Sequence, residues 1–221
     1  ISIFYNRSRD GVFIRNATVS VSPALPAFTV VKESDKYVLM INSSLLNDGQ
    51  TYVVNVTLEK QFHEDKSVII TIEVKPIPTV LTASMTSVEI EWGLIVNITF
   101  WYNRTDVSPY TGVEAADNAS YKLYFNNTLV RKGNLTELGG GTYRFLMNTT
   151  LFVNDTHPYL GTYMLYVFLE KQHYEARSMV VSITVKEVAM IAVAQPTELS
   201  IIWGYSENVT IYYNRSRDKV F

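Results

Sequence analysis

One short peptide recurs along this chain and sets its organisation. Tyr-Asn-Arg-Ser-Arg-Asp spans 5–10, returns as Tyr-Asn-Arg-Thr-Asp at 102–106 and again as Tyr-Asn-Arg-Ser-Arg-Asp at 213–218. Leu58-Glu59-Lys60-Gln61 echoes in Leu169-Glu170-Lys171-Gln172, and Trp92-Gly93 in Trp203-Gly204, both at an offset of 111 residues. Self-similarity at a fixed period means tandem copies of one structural unit. The first interval, Asn6 to Asn103, is 97 residues, and the second, Asn103 to Asn214, is 111. The extra 14 residues divide into loop insertions of five before Asn118, four between Asn118 and Asn148, and five between Asn148 and Tyr163. The expected organisation is a first repeat over 1–76 lacking its opening strands, a complete repeat over 77–187, and the opening strands of a third over 188–221.

Within each copy the apolar residues alternate with period two, as in half-buried antiparallel strands. Val88, Ile90 and Trp92 share a phase, as do Val96, Ile98, Phe100 and Tyr102. Tyr121, Leu123 and Phe125 form another set; Tyr143, Phe145 and Met147 follow; then come Tyr163, Leu165, Val167 and Leu169, and finally Met179, Val181, Ile183 and Val185. Gly93 interrupts one long pattern, as a bulge or corner does. Asn47-Asp48-Gly49 and Gly139-Gly140-Gly141 mark turns, the latter a flexible one. No stretch of a dozen residues keeps a helical pattern. About seven strands in about 100 residues without helices predict an all-β fold, a β-sandwich.

Gly161-Thr162-Tyr163 before Met-Leu-Tyr-Val, and Asp48-Gly49-Gln50-Thr51-Tyr52 before Val-Val-Asn-Val, resemble the Asp-x-Gly-x-Tyr lead-in to strand F of immunoglobulin-like domains. The resemblance implies that Tyr52 and Tyr163 are tyrosine-corner residues, ring buried and hydroxyl bonded to backbone. Where antibody-type domains carry Cys, two positions on, stand Val54 and Leu165. The whole repeat, from its Trp-Gly strand through Tyr-Asn-Arg, Asn-Ala-Thr/Ser, Gly-Thr-Tyr and Glu-Lys-Gln to a Val/Ile strand, is similar to the disulfide-free tandem immunoglobulin-like repeats of archaeal cell-surface proteins. That resemblance implies tandem immunoglobulin-like β-sandwiches and a surface location, and no chemistry.

Thirteen of the 15 Asn residues begin Asn-X-Ser/Thr with X not Pro: Asn6, Asn16, Asn42, Asn55, Asn97, Asn103, Asn118, Asn126, Asn134, Asn148, Asn154, Asn208 and Asn214. With 38 Ser and Thr in 221 residues, chance placement gives about 3. Such density predicts a chain that meets a glycosylation machinery, carries covalent N-linked glycans and ends outside the cell. Strand phase agrees. Asn97 lies between inward Val96 and Ile98, Asn55 between Val54 and Val56, Asn208 precedes inward Val209, and Asn42 and Asn148 follow inward Ile41 and Met147. Asn16 is expected on a face with Thr18 and Ser20, and Asn118 on one with Ser120 and Lys122. Four sets recur between copies: Asn6/Asn103/Asn214, Asn97/Asn208, Asn16/Asn118 and Asn42/Asn148.

The remaining composition narrows the function. Net charge is -2 with no Lys/Arg cluster, which leaves no electrostatic footprint for nucleic acid. No apolar run approaches the roughly 18 residues of a membrane helix, so this segment contains no span. Zero Cys removes disulfides, thiolate metal sites and cysteine nucleophiles together. His63, His157 and His173 have no ligand spacing. No nucleophile elbow, phosphate loop or calcium loop is present, neither Lys75 to Thr79 nor Lys186 to Val188 clusters carboxylates, and Glu59 and Glu170 stand on outward positions before a turn. No catalytic residue, metal or cofactor is expected.

One asymmetry stands out. The outward phase after Tyr52 is Val53, Asn55, Thr57 and Glu59, whereas after Tyr163 it is Met164, Tyr166 and Phe168. An apolar outer face is either covered by a lengthened loop of its own domain or is a contact surface. The chain opens and closes within the same stretch of the repeat. It reads as a window of a longer array rather than as a strand-exchanging subunit, because residues 209–221 duplicate residues 1–13. The expectation is a non-enzymatic filament, stalk or surface-coat component, with short linkers at Pro76 to Pro78 and near Val188. Its expected partners are copies of itself or neighbouring repeats; the alternatives are an adhesin or the stalk of a surface enzyme.

Overall fold

Alternation of β-branched and aromatic residues with polar ones builds strands throughout the computed structural model, which describes residues 1–150 and 160–216. The chain divides into two units, Ile1–Pro76 and Ile77–Phe221. The first unit contains β1 (Ser2–Ile3), β2 (Thr18–Ser22), β3 (Phe28–Lys32), β4 (Tyr37–Ile41), β5 (Thr51–Glu59) and β6 (Lys66–Glu73). They form two antiparallel sheets, ordered β1-β4-β3 and β2-β5-β6. Ile3, Phe28, Tyr37, Leu39, Val54, Val56 and Leu58 fill the space between them.

The second unit adds β7 (Thr79–Ala83), β8 (Ser87–Glu91), β9 (Ile95–Arg104), β10 (Thr111–Gly112), β11 (Asn118–Phe125), β12 (Thr128–Asn134), β13 (Thr136–Gly139), β14 (Thr142–Asn148), β15 (Gly161–Glu170) and β16 (Arg177–Lys186). One sheet runs β10-β9-β14-β13, with β7 also on β9; the other runs β12-β11-β15-β16-β8. All pairs are antiparallel except β8 with β16. Apart from the short β10, in immunoglobulin lettering these are A, B, E and D facing A′, G, F, C and C′: the β-sandwich that the strand pattern predicts, of the immunoglobulin-like kind that the resemblance implies. Phe100, Tyr102, Leu123, Tyr143, Met147, Tyr163, Leu165 and Ile183 pack the core.

Gly93 is a corner. The chain leaves β8 in one sheet and enters β9 in the other through Gly93 at φ 92°, a conformation that suits glycine. Buried Thr149 braces it: its hydroxyl accepts from Gly93 N–H at 2.8 Å and donates to Leu94 O at 2.8 Å. The inward phase of β8 therefore ends at Ile90, and Trp92 is exposed, contrary to the period-two expectation. In the Gly139–Gly141 turn, Gly139 and Gly140 are exposed with open space where a Cβ would stand, and Gly141 alone departs from expectation by being packed. Gly141 is buried at φ 69°, and a Cβ there would lie 2.5 Å from Gly112 Cα and 2.6 Å from Tyr102 O.

Tyrosine hydroxyls staple loops to strands in the same places in both units. Ala17 N–H donates to Tyr37 at 2.8 Å and Tyr37 donates to Ile14 O at 3.1 Å. Ala116 N–H donates to Tyr143 at 3.1 Å and Tyr143 donates to Val113 O at 2.9 Å. Tyr5 donates to Glu64 O and Tyr102 to Glu175 O, each at 2.7 Å. Tyr52 accepts from Asn47 N–H at 2.9 Å, a tyrosine corner whose ring is half-buried. The Tyr163 ring is buried.

After β16 come β17 (Met190–Gln195) and β18 (Thr210–Arg215), which pair with each other. Their register reproduces β7 with β9. Met190 opposes Arg215 and Ile191 opposes Asn214, as Thr79 opposes Arg104 and Val80 opposes Asn103. Gly204 repeats the φ of 92° found at Gly93. Among the described residues no helix is long and apolar enough to cross a membrane.

Candidate functional site

The sequons are the most abundant chemically distinctive feature of the chain. Among the described residues Asn6, Asn16, Asn42, Asn97, Asn118, Asn126, Asn134 and Asn208 are exposed, Asn55, Asn103, Asn148 and Asn214 are half-buried, and none is buried. Asn154, like His157, lies outside the described residues. Asn97 rises between buried Val96 and Ile98, as period two requires. Val209 is exposed rather than inward, as are Ile211 and Tyr213 on the same phase of β18, because among the described residues no second sheet faces the β17–β18 pair.

Equivalent sequons share local chemistry. Asn42 Oδ1 accepts from Ser44 N–H at 3.2 Å and from the Ser44 hydroxyl at 2.7 Å; Asn148 Oδ1 accepts from Thr150 N–H at 3.0 Å and from its hydroxyl at 2.8 Å. In both, the residue two ahead closes an Asx turn. Two sequons also serve the backbone. Asn126 and Asn127, at φ 46° and 63°, make the two-residue turn between Phe125 and Thr128, where Asn is favoured. Asn16, at φ 55°, also lies in the left-handed region and accepts from Lys32 Nζ.

That geometry corrects one equivalence. Thr18 opposes Glu59 in the first unit and Asn118 opposes Glu170 in the second. Asn118 therefore stands where the first unit has Thr18, not Asn16. The residue matching Asn16 is Ala115, at φ 48° and likewise followed by an Ala that donates to a tyrosine hydroxyl. Asn16 does not lie on the β2 face with Thr18 and Ser20; it precedes the strand in a turn.

The apolar strip lies on the outer face of β15. Met164, Tyr166 and Phe168 are 38 %, 46 % and 36 % exposed. Tyr124 meets Tyr166 edge-on, with centroids 5.3 Å apart and planes at 79°. Together with Asn118 they line an open groove of about 780 Å³. The matching positions of the first unit, Val53, Asn55 and Thr57, carry no aromatic ring. The Asn55 Oδ1 there is buried without a hydrogen-bond partner.

Ionisable groups play structural parts. Hydrogen bonds from the Arg104 guanidinium hold the Asp106 carboxyl below its ordinary range. Burial raises the Tyr102 and Tyr143 hydroxyls above theirs. His63 and His173 sit in the β5–β6 and β15–β16 turns. Among the described residues no three His, Asp or Glu side chains converge as a metal site needs. The strip was readable from strand phase and the sequons from Asn-X-Ser/Thr; the hydroxyl bonds of Tyr5, Tyr37, Tyr102 and Tyr143 were missed, because their partners are backbone N–H and carbonyl groups with no sequence signature.

No family model matches the chain, and no curated protein matches it. Among solved structures it is similar to the complex of Dpr2 Ig1-Ig2 with DIP-Theta Ig1-Ig3, at 14 % identity over 84 % of each chain and a TM-score of 0.30. It is similar to the S-layer protein rSbsC(31-844), at 10 % identity, 94 % of this chain, 24 % of that one and a TM-score of 0.32. It is also similar to the Yersinia pseudotuberculosis adhesin InvE, at 12 % identity, 80 % of this chain, 51 % of that one and a TM-score of 0.29. The chain thus spans about a quarter of the S-layer structure and about half of the adhesin.

Proposed function

We propose that the chain is a non-enzymatic structural segment of a heavily N-glycosylated extracellular protein, a filament, stalk or surface-coat component whose partners are copies of itself or neighbouring repeats. One observation carries this reading: 13 of 15 Asn residues lie in sequons, and none of those among the described residues is buried. Turn requirements account for Asn16 and Asn126 and leave the strand positions Asn97, Asn118 and Asn134 unexplained. In this reading the sandwiches resist deformation through hydrogen bonds between strands, and the glycans shield a chain that is 47 % hydrophobic.

Site-resolved mass spectrometry of the native polypeptide, before and after chemical deglycosylation, tests it. The expected result is a large mass loss with several exposed sequons occupied. A native chain of unmodified mass overturns the reading. The exposed Met164, Tyr166 and Phe168 favour a second reading, an adhesin. In that case changing the three to Ser abolishes attachment to other cells and leaves assembly intact.

A further inference from the structure

We propose that the strip formed by Met164, Tyr166 and Phe168 is the seat of this chain's own glycan, attached at Asn118. The proposal rests on the N-glycosylated reading above and adds what covers this face. Asn118 opposes Glu170, so Phe168, two residues back along β15, is its diagonal neighbour on the same side of the sheet, about 7 Å away. Phe168 is flanked by Ser120 on β11 and Ser178 on β16. Two short hydroxyl side chains on either side leave the ring uncovered and make a trough that starts at Asn118 and runs to Tyr166 and Tyr124.

A saccharide ring matches such a trough. Its C–H face is slightly positive and stacks on the negative face of an aromatic ring, while its rim hydroxyls meet Ser120, Ser178 and Lys122. The linkage forms between Asn118 Nδ2 and the anomeric carbon of a saccharide carried on a lipid phosphate. The bond from that carbon to the phosphate oxygen breaks, the lipid phosphate leaves with the electron pair, and the amide proton passes to a base of the transferase.

The two units support this occupant over a protein. Where the second unit has Asn118, Tyr166 and Phe168, the first has Thr18, Asn55 and Thr57. The rings and the edge sequon occur together and are lost together, and the face without rings carries a sequon at its centre. A docking protein would also have to pass Asn134, opposite Ser120, and Asn126 at the hairpin tip.

The test is a brief hydroxyl-radical footprint of the full glycosylated chain, read by peptide mass spectrometry, for the native protein and for Asn118→Gln and Asn134→Gln. Asn118 is exposed, so its variant keeps the unfolding midpoint, which is measured alongside. The expected result is an occupied Asn118, with labelling of Met164, Tyr166 and Phe168 rising several-fold in Asn118→Gln. It does not rise in Asn134→Gln, and Trp101 on the other sheet is unaffected in both. An empty Asn118 beside other occupied sequons overturns the proposal and leaves the glycosylated reading standing; so does an occupied Asn118 whose loss leaves the labelling unchanged. A strip that stays protected in Asn118→Gln until the sample is diluted overturns it in favour of a protein partner. A chain with no occupied sequon overturns both.

Discussion

β6 and β16 carry the same pattern and have different fates. Val68-Ile69-Ile70-Thr71-Ile72-Glu73-Val74 matches Met179-Val180-Val181-Ser182-Ile183-Thr184-Val185 position by position. Val181, Ile183 and Val185 are 0 %, 0 % and 2 % exposed, whereas Ile70, Ile72 and Val74 are half-buried. β16 lies between β15 and β8, and its sandwich is closed by the ten-residue β9; β6 is an edge strand, and β1 has two residues. Alternation decides which face turns inward. How dry that face becomes depends on distant strands.

The largest effect follows from that difference. Ile183→Ala should cost the second unit about 4 kcal/mol, in the range for emptying a closed core, and Ile72→Ala should cost the first unit about 1 to 2 kcal/mol. Hydrogen exchange read separately in the two units under mild denaturant measures both, and equal losses would break the comparison. The tyrosine staples sharpen it. Tyr143→Phe strands Ala116 N–H and Val113 O and should cost about 2 kcal/mol; Tyr37→Phe, with matching bonds, should cost its own unit a similar amount. Unequal costs would mean that water replaces the lost hydroxyl in one unit and not in the other.

The smallest effect is alkaline. Burial raises Tyr102 and Tyr143 above the ordinary tyrosine range, so the folded state holds these protons longer than the unfolded chain does. Their stabilisation is complete below the unfolded value of about 10 and is lost as pH rises through the folded values. The midpoint of unfolding of the second unit should be flat from about pH 7 to pH 9 and fall above about pH 10, with less fall in Tyr143→Phe. Tyrosinate absorbance, followed together with the midpoint, checks the order of titration.

The sequence disclosed what local chemistry determines. Period two, the copies and the corner at Gly93 were legible because each depends on neighbours along the chain. The phase failed for two reasons: Trp92 lies beyond the end of β8, and Val209, Ile211 and Tyr213 are exposed on a β17–β18 pair that no second sheet faces among the described residues. Asn16 and Asn118 both begin Asn-Ala-Ser/Thr. One is a left-handed turn residue and the other the first residue of a strand, a distinction that identical letters conceal. Gly141 is packed because Gly112, far along the chain, comes against it. The strip on β15 was legible as an outward phase, but its trough depends on Ser120 and Ser178 from two other strands.

The constant register of the A–B pair has a genetic consequence. Every pairing of β7 with β9 recurs in β17 with β18 after 111 residues, and both Trp-Gly corners share one backbone angle. Unequal crossover between the stretches encoding Trp92-Gly93 and Trp203-Gly204 would therefore splice strands that already fit. The recombinant protein would be longer or shorter by one whole sandwich, with no misaligned sheet at the join.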